Sequence, residues 1–230
     1  MKILSAHQRR EADAVTIQNE SISSVDLMER ASTACVGWII QNCTAESEFQ
    51  VFCGTGNNGG DGLAIARLLS NANFRVTVSV IRFSETVTDD FKINLERLRK
   101  LPIEIKEYTL ADSIDVKDDC IIIDALLGSG LSKPLEGQLK QLVEAINASN
   151  VFVISIDVPS GLFIDDINNK KQVSIHANIS LTFQTPPLSF FAEENRLRVG
   201  NWNLLDIGLS AGFLEKTESS YHYLEPQQIT

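Results

Sequence analysis

The residues with the clearest capacity for chemistry form the glycine-rich stretch 54–62. It reads Gly-Thr-Gly-Asn-Asn-Gly-Gly-Asp-Gly, so five of its nine residues are glycine. The stretch follows an apolar run at 49–53 and precedes a helical pattern at 63–71. Glycines permit positive φ or close approach of a ligand to the backbone, and amides at a helix start attract negative charge. We therefore predict a phosphate-binding loop at the protein surface.

Two known phosphate-binding motifs fit this loop incompletely. Residues 54–59 match G-x-G-x-x-G, but the strand predicted next lacks the acidic residue that binds a ribose hydroxyl, since Glu85 lies beyond it. A nucleoside-triphosphate loop would need a Lys-Ser or Lys-Thr after the glycines, and neither is present. The polar side chains of Asn57, Asn58 and Asp61 indicate that the loop also contacts a cation or a polar substrate group.

The elements that must position this loop alternate along the chain. Capping boxes begin two leading helices, with Ser5 and Gln8 for about 6–20 and Ser23 and Asp26 for about 24–42. Further helices are predicted at 63–71, 88–100 and 135–148. Strands are predicted at 49–53, 74–81, 103–107, 120–124, 151–157, 179–183 and 202–205. This alternation, with strands apolar on both faces, predicts an α/β fold with one doubly wound parallel sheet.

Polar clusters follow three of the predicted strands. Besides the glycine loop, residues 124–134 read Asp-Ala-Leu-Leu-Gly-Ser-Gly-Leu-Ser-Lys-Pro, and residues 157–161 read Asp-Val-Pro-Ser-Gly. An aspartate at such a position is commonly a turn former or a helix cap. Because ligands of doubly wound sheets bind at the carboxyl ends of the strands, we expect the three clusters to form one site.

Composition limits the possible partners. The 230 residues are 43% hydrophobic and carry a net charge of −10, which argues against nucleic acid as a partner. No apolar run of 18 or more residues is present, so we expect no membrane span. Four cysteines without a C-x-x-C pair are typical of buried free thiols in a reducing compartment, and we expect a cytoplasmic protein. The three scattered histidines give little support for zinc.

Three ordered motifs carry a resemblance to a known family. N-N-G-G-D-G at 57–62, D-A-L-L-G-S-G-L at 124–131 and S-I-D-V-P-S-G at 155–161 resemble the NAD(P)HX epimerases, the YjeF N-terminal domain family. The opening M-K-I-L-S-A-H-Q-R-R-E-A-D and the segment 23–31 look like its two leading helices. The resemblance covers residues 1 to about 212. It implies a three-layer αβα sandwich, Rossmann-like with a mostly parallel sheet, and commonly a homodimer.

The resemblance also implies an activity and a site. Such enzymes interconvert the R and S forms of hydrated NADH and NADPH, and a partner dehydratase then takes only the S form. One potassium ion per subunit would be ligated by Asn58, Asp124 and Ser160. The substrate would contact these residues: Asn57, Asn58, Gly59, Gly60, Asp61, Gly128, Ser129, Gly130, Leu131, Ser132, Lys133, Pro134 and Asp157.

The reaction itself suggests which group does the chemistry. The epimerised carbon carries a hydroxyl next to a ring nitrogen, so its configuration is lost either by departure of hydroxide or by ring opening to an aldehyde. Both routes need an acid or base within hydrogen-bond reach. Asp157, at a strand end beside the glycine loop, is our candidate for that group. Many family members have a lysine where this chain has Pro187, and we expect the replacement to weaken phosphate binding rather than catalysis.

Two other functions are compatible with the residues. The chain could be a non-catalytic nucleotide-binding scaffold of the same fold, which Pro187 favours, or a dinucleotide-dependent dehydrogenase, which only the G-x-G-x-x-G match favours. We expect residues 1–215 to form one domain. Residues 216–230 would be a surface tail or the start of a linker to a dehydratase domain.

Overall fold

Seven parallel strands form the centre of the structure, a computed structural model that describes residues 1–109, 112–167 and 172–224. In chain order the strands are β1 (Glu48–Cys53), β2 (Arg75–Arg82), β3 (Glu104–Thr109), β4 (Ile121–Ala125), β5 (Val153–Ile156), β6 (Ile179–Phe183) and β7 (Asn201–Leu205). Their order in the sheet is β3-β2-β1-β4-β5-β6-β7, and every pair is parallel. The predicted α/β fold with one doubly wound parallel sheet is confirmed.

Helices cover both faces of this sheet. They are α1 (Ala6–Glu20), α2 (Ser24–Asn42), α3 (Asn57–Asn71), α4 (Asp89–Leu98), α5 (Gly137–Ala148), α6 (Arg196–Val199) and α7 (Ala211–Lys216), with short 3₁₀ turns at Leu188–Phe191 and Glu193–Asn195. Both predicted capping boxes are present: Ser5 and Gln8 exchange hydrogen bonds at the start of α1, and Ser23 and Asp26 do so at the start of α2. Each box satisfies backbone N–H groups that the first helical turn leaves without partners.

The core consists of two layers separated by the sheet. On one side Phe49 and Val51 of β1 pack with apolar residues of α2 and α3. On the other side Phe52 packs with Leu142 and Val143 of α5. Successive side chains of a strand point to opposite faces, so the apolar run of β1 supplies both layers. The four cysteines are free, as predicted, and Cys35 and Cys53 lie in the core while the other two are half-buried.

The predicted start of the helix after the glycine-rich stretch is wrong. Helix α3 begins at Asn57, so most of the expected surface loop is helix. A Cβ on Gly59 would lie 1.8 Å from the carbonyl oxygen of Gly54, and a Cβ on Gly60 would lie 2.8 Å from Sδ of Met28. Neither glycine has positive φ, and both are buried. These glycines let the first turn of α3 pack closely in the core, which outweighs their low helix propensity.

The end of the described chain packs against its beginning. Tyr223 donates its backbone N–H to the carbonyl oxygen of Met1 at 2.8 Å, and Ile3 donates to the carbonyl oxygen of Tyr221 at 3.0 Å. Lys2 and His222 form an antiparallel bridge. Much of the predicted tail therefore contacts the fold, while residues 225–230 lie outside the described residues. The domain boundary near residue 215 stays a prediction.

Candidate active site

A cavity of about 660 Å³ opens at the carboxyl ends of the strands. Its walls include residues that follow β1, β4, β5 and β6, together with residues of α1 and α2. The sheet order reverses between β1 and β4, and such reversals are where doubly wound folds bind ligands. The predicted site residues on its walls are Asn57, Asn58, Asp61, Gly128, Ser129, Gly130, Leu131, Ser132, Lys133 and Asp157. The three predicted clusters therefore meet in one place.

The first turn of α3 presents polar groups to this cavity. Gly56 is its N-cap and provides no side chain to accept the first helical N–H groups. The side chain of Asn58 is buried, and neither Oδ1 nor Nδ2 has a hydrogen-bond partner in the described part of the chain. Buried polar atoms are nearly always paired, because an unpaired one destabilises the fold by about 1–3 kcal/mol. The unpaired amide therefore indicates that a ligand atom belongs beside Asn58.

Asp124, in β4, lies in the core rather than on the cavity wall. It is 0% exposed, and four donors reach its carboxylate. The donors are Oγ of Ser155 at 2.8 Å, N–H of Ser160 at 2.9 Å, Oγ of Ser160 at 2.5 Å and N–H of Leu126 at 3.3 Å. Burial raises the pKa of Asp124, while the hydrogen bonds from Ser160 oppose that rise. The carboxylate joins the end of β4 to the turn after β5.

Asp157 faces the cavity directly after β5. Its backbone has φ of 65°, a region that non-glycine residues rarely adopt outside functional sites and turns. Oδ1 accepts a hydrogen bond from Nη1 of Arg9 at 3.2 Å, and Oδ2 accepts one from N–H of Ser129 at 2.8 Å. Both oxygens thus accept from N–H donors, which is the arrangement of an ionised carboxylate.

Two further carboxyl groups lie near Asp157. Burial raises the pKa of Asp61 well above its ordinary value, and the charges of Asp157 and Asp13 raise it further. Burial also raises the pKa of Asp13 to about 6, with a further contribution from Asp157 and an opposing one from Arg9. Perturbed carboxyl groups that share a cavity are typical of sites that transfer protons.

Asp13 should make the stability of the protein depend on pH. Its pKa is about 6 in the folded state against 3.8 for the free side chain, so the folded state binds this proton more tightly. Its contribution to stability is present below about pH 4 and is lost as the pH rises through about 6. We expect Asp13→Asn to remove this loss and to raise the free energy of unfolding at pH 7.5 by roughly 1–3 kcal/mol. Urea unfolding of both proteins at pH 4.5 and 7.5 measures it, and an equal difference at both values would contradict the assignment.

Gly128 allows the walls of the cavity to approach each other. A Cβ at this position would lie 3.0 Å from Oδ2 of Asp157 and 3.2 Å from Cβ of Asn58. We expect Gly128→Ala to lower activity at least ten-fold, because the added methyl group shifts the side chains of Asp157 and Asn58, and small misplacements of such groups lower rates strongly. Gly37→Ala is the matched control, since its Cβ would meet nothing within 4 Å. Steady-state kinetics on both variants tests this, and equal activities would contradict it.

Some predicted site residues do not reach the cavity. Gly59, Gly60 and Pro134 do not line it, and Asp124 and Ser160 are buried away from its wall. The ligand contacts of all predicted residues stay predictions. Pro187 is buried at the start of the turn Leu188–Phe191.

Two residues of α1 that were not predicted as site residues line the cavity. Arg9 and Asp13 lie one turn apart on this helix and both line the cavity. The available signal was the polar character of the buried side of α1, where Arg9, Ala12 and Thr16 are buried. A charged residue in such a row of positions indicates a partner inside the protein.

Two further features are absent from the described residues. Within the described residues, no group of three or more His, Cys, Asp or Glu side chains is placed to hold a metal ion. That finding does not bear on Asn58 and Ser160, whose side chains belong to other types. Across the same residues, no helix is long and apolar enough to cross a membrane.

Comparison with known proteins gives the class to which this fold and cavity correspond. Residues 24–188 match the family described as YjeF-related protein N-terminus, and the chain belongs to that family. The chain is 35% identical over 211 residues to an NAD(P)H-hydrate epimerase of Weissella koreensis, and the match covers 90% of this chain and 91% of that one. The fold resembles that of the yeast protein ynu0 (YNL200c), with a TM-score of 0.76 at 21% identity over 99% of this chain and 98% of that one.

Some of the similar proteins are much longer than this chain. The chain is 32% identical over 194 residues to a bifunctional NAD(P)H-hydrate repair enzyme Nnr of Thermofilum pendens. That match covers 82% of this chain but 36% of the relative. The chain therefore spans 87–96% of the similar relatives named as epimerases and 36–44% of those named as bifunctional.

Proposed function

We propose that this protein epimerises the R and S forms of hydrated NADH and NADPH. The observation that carries the proposal is the Asp157 carboxylate, held between Arg9 and the N–H of Ser129 on the wall of a large cavity. The names of the similar full-length relatives support the same activity. A cavity of about 660 Å³ lies within the range that small-molecule and cofactor sites occupy.

Two chemical routes can erase the configuration of the hydrated carbon. In the first, an acid protonates the hydroxyl, water leaves, and water attacks the resulting iminium from either face. In the second, a base takes the hydroxyl proton, the oxygen forms an aldehyde C=O, and the carbon–nitrogen bond breaks with its electron pair passing to nitrogen. Reclosure on the other face reverses these steps and returns the proton to oxygen. Neither route consumes an oxidant or a reductant.

The surroundings of Asp157 favour the ring-opening route. Since both of its oxygens accept hydrogen bonds, Asp157 is arranged to receive a proton first and to return it on reclosure. The first turn of α3 offers backbone N–H groups and the positive end of the helix dipole to the substrate diphosphate. Lys133 on the opposite loop adds a positive charge to the same cavity.

Incubation of the protein with one NADHX epimer, followed by chiral separation, tests the proposal. Rapid equilibration of R and S is the expected result. Tight binding without equilibration would instead support the scaffold function, and hydride transfer to an added substrate would support a dehydrogenase. A protein that neither binds nor equilibrates NADHX would refute the proposal.

A potassium ion held by Asn58, Asp124 and Ser160 forms part of the proposal. The unpaired Oδ1 of Asn58 and the carboxylate of Asp124 are oxygen ligands of the type that hard cations prefer. When bound, the ion would supply positive charge at the carboxyl ends of β1 and β4. Thallium has an anomalous signal and replaces potassium, so a crystal soaked in thallium should show a peak beside Asn58. Density that fits only water there would contradict the ion.

The remaining expectations concern assembly and location. We propose a homodimer in the cytoplasm, whose product passes to a dehydratase that acts on the S form. The fused architecture of the bifunctional relatives supports a downstream partner enzyme. Sedimentation equilibrium measures the oligomeric state, and a monomer at micromolar concentration would contradict the dimer.

A further inference from the structure

Arg9 is a charged residue buried on the inner side of α1, where an apolar residue would be usual. The residue is 8% exposed, and it lies on the buried side of α1 with Ala12 and Thr16. Burial lowers the pKa of the Arg9 guanidinium, while the charges of Asp157, Asp13 and Asp165 oppose that shift. A buried cation destabilises a fold unless it is paired and hydrogen-bonded. An apolar side chain at this position would dock α1 without that requirement.

The guanidinium connects α1 to the segments that follow β5 and β6. Nη1 donates to Oδ1 of Asp157 at 3.2 Å, and Nη2 donates to the carbonyl oxygen of Thr185, after β6. The N–H of Ser129 reaches the other oxygen of Asp157 from the loop after β4. The carboxylate is thus held on both of its oxygens. One of the two holding groups is a side chain from a helix at the start of the chain.

The fold alone does not account for this ion pair. Replacing a buried ion pair by well-packed apolar residues is often neutral or stabilising, so such a pair is weak grounds for a purely structural role. Asp157 also has positive φ, a backbone state that persists only when the surroundings fix it. The ion pair therefore helps to hold Asp157 in place, which the packing of α1 alone does not require.

We propose that Arg9 is a positioning residue that fixes the orientation of the Asp157 carboxylate for proton transfer with the substrate hydroxyl. This inference rests on the proposed epimerase function. Proton transfer requires heavy atoms about 2.6–3.2 Å apart, and a displacement of about 1 Å can lower a rate by 10²-fold. Arg9 acts through Asp157 and transfers no proton itself.

Substitution of Arg9 separates positioning from binding and from stability. We expect Arg9→Met to lower kcat for NADHX epimerisation by about 10²-fold while KM changes less than three-fold, since the substrate contacts of α3 and the loop after β4 stay in place. Arg9→Lys restores a cation that reaches Asp157, and we expect it to recover at least ten-fold of the loss. Arg9→Gln keeps a donor for Thr185 without the charge, and it serves if the methionine variant fails to fold.

Thr16→Val is the matched control on the same helix. Thr16 is buried and accepts a hydrogen bond from N–H of Ser210 at 2.9 Å, but it does not line the cavity. The substitution weakens the docking of α1 without touching Asp157. We expect a lower thermal midpoint with kcat within two-fold of wild type.

The outcomes distinguish the inference from the function on which it rests. Wild-type protein that leaves NADHX epimers unchanged refutes the epimerase function and, with it, the role of Arg9. An active wild type with equally active, folded Arg9→Met and Arg9→Gln variants refutes only the role of Arg9. The role is also refuted if KM rises while kcat is kept, or if Thr16→Val lowers kcat as much as Arg9→Met does.

Discussion

Asp157→Asn is expected to lower epimerisation by two to four orders of magnitude, the usual contribution of a general acid or base. The amide cannot accept the hydroxyl proton, and it offers one acceptor oxygen where the carboxylate offers two to Arg9 and Ser129. Asparagine tolerates the left-handed backbone that residue 157 adopts, so the variant should fold. Chiral separation of NADHX over time measures the loss.

Two controls accompany this test: a measurement of ligand affinity and a substitution at an exposed aspartate. ADP-ribose lacks the epimerised ring, so its affinity for Asp157→Asn, measured by calorimetry, should stay within a few-fold of wild type. Asp118→Asn removes one negative charge at an exposed position and should leave the rate unchanged. Turnover near the wild-type rate in a folded Asp157→Asn protein would remove Asp157 from the mechanism.

The strand positions could be predicted because the apolar runs of this chain are short and well separated. Residues 179–183 were predicted as a strand and form β6 with the same bounds. The other six strands differ from the prediction by at most two residues at either end. Parallel strands buried on both faces leave a continuous apolar signal, and the polar residues after them mark their ends.

The start of α3 could not be predicted because its cause lies elsewhere in the fold. Five glycines in nine residues favour a loop on local propensity. Yet Gly62 lies where a Cβ would approach Cβ of Ala125 to 2.6 Å, and Gly54 lies where one would approach the carbonyl oxygen of Leu126 to 2.0 Å. The glycines thus allow α3 and its preceding turn to approach β4 closely. That reason becomes visible only when the sheet is assembled.

Some residues of the candidate site could be predicted from the sequence, and others could not. Asp124, Asp157 and the polar start of α3 could be placed together because the carboxyl ends of parallel strands share one edge. Arg9 and Asp13 could not, because α1 precedes the sheet and nothing in its sequence says which strand end it crosses. The hydrogen bond between Arg9 and Asp157 joins residues 148 positions apart.

Asp124 links the site to the stability of the fold. It was proposed as a potassium ligand, and in the structure its carboxylate also holds the hydroxyl and N–H of Ser160 together with the hydroxyl of Ser155. These donors lie in the sheet core and in the turn that carries Asp157. One buried carboxylate therefore fixes the spacing between β4 and the segment after β5.

Asp124→Ala is therefore expected to destabilise the protein by about 3 kcal/mol or more, because the hydroxyl of Ser155 and the N–H groups of Ser160 and Leu126 lose their acceptor, and each buried unpaired group costs about 1–3 kcal/mol. The hydroxyl of Ser160 keeps the carbonyl oxygen of Leu127 as an acceptor at 3.0 Å. Urea unfolding in potassium-free buffer measures this without the contribution of a bound ion. Ser155→Ala removes one donor and should cost about 1 kcal/mol. The double variant should be more stable than the sum of the two losses predicts, because the second substitution removes a donor that the first leaves unpaired. Strict additivity, or a loss under 1 kcal/mol for Asp124→Ala, would show that the network does not hold β4 to the Asp157 turn.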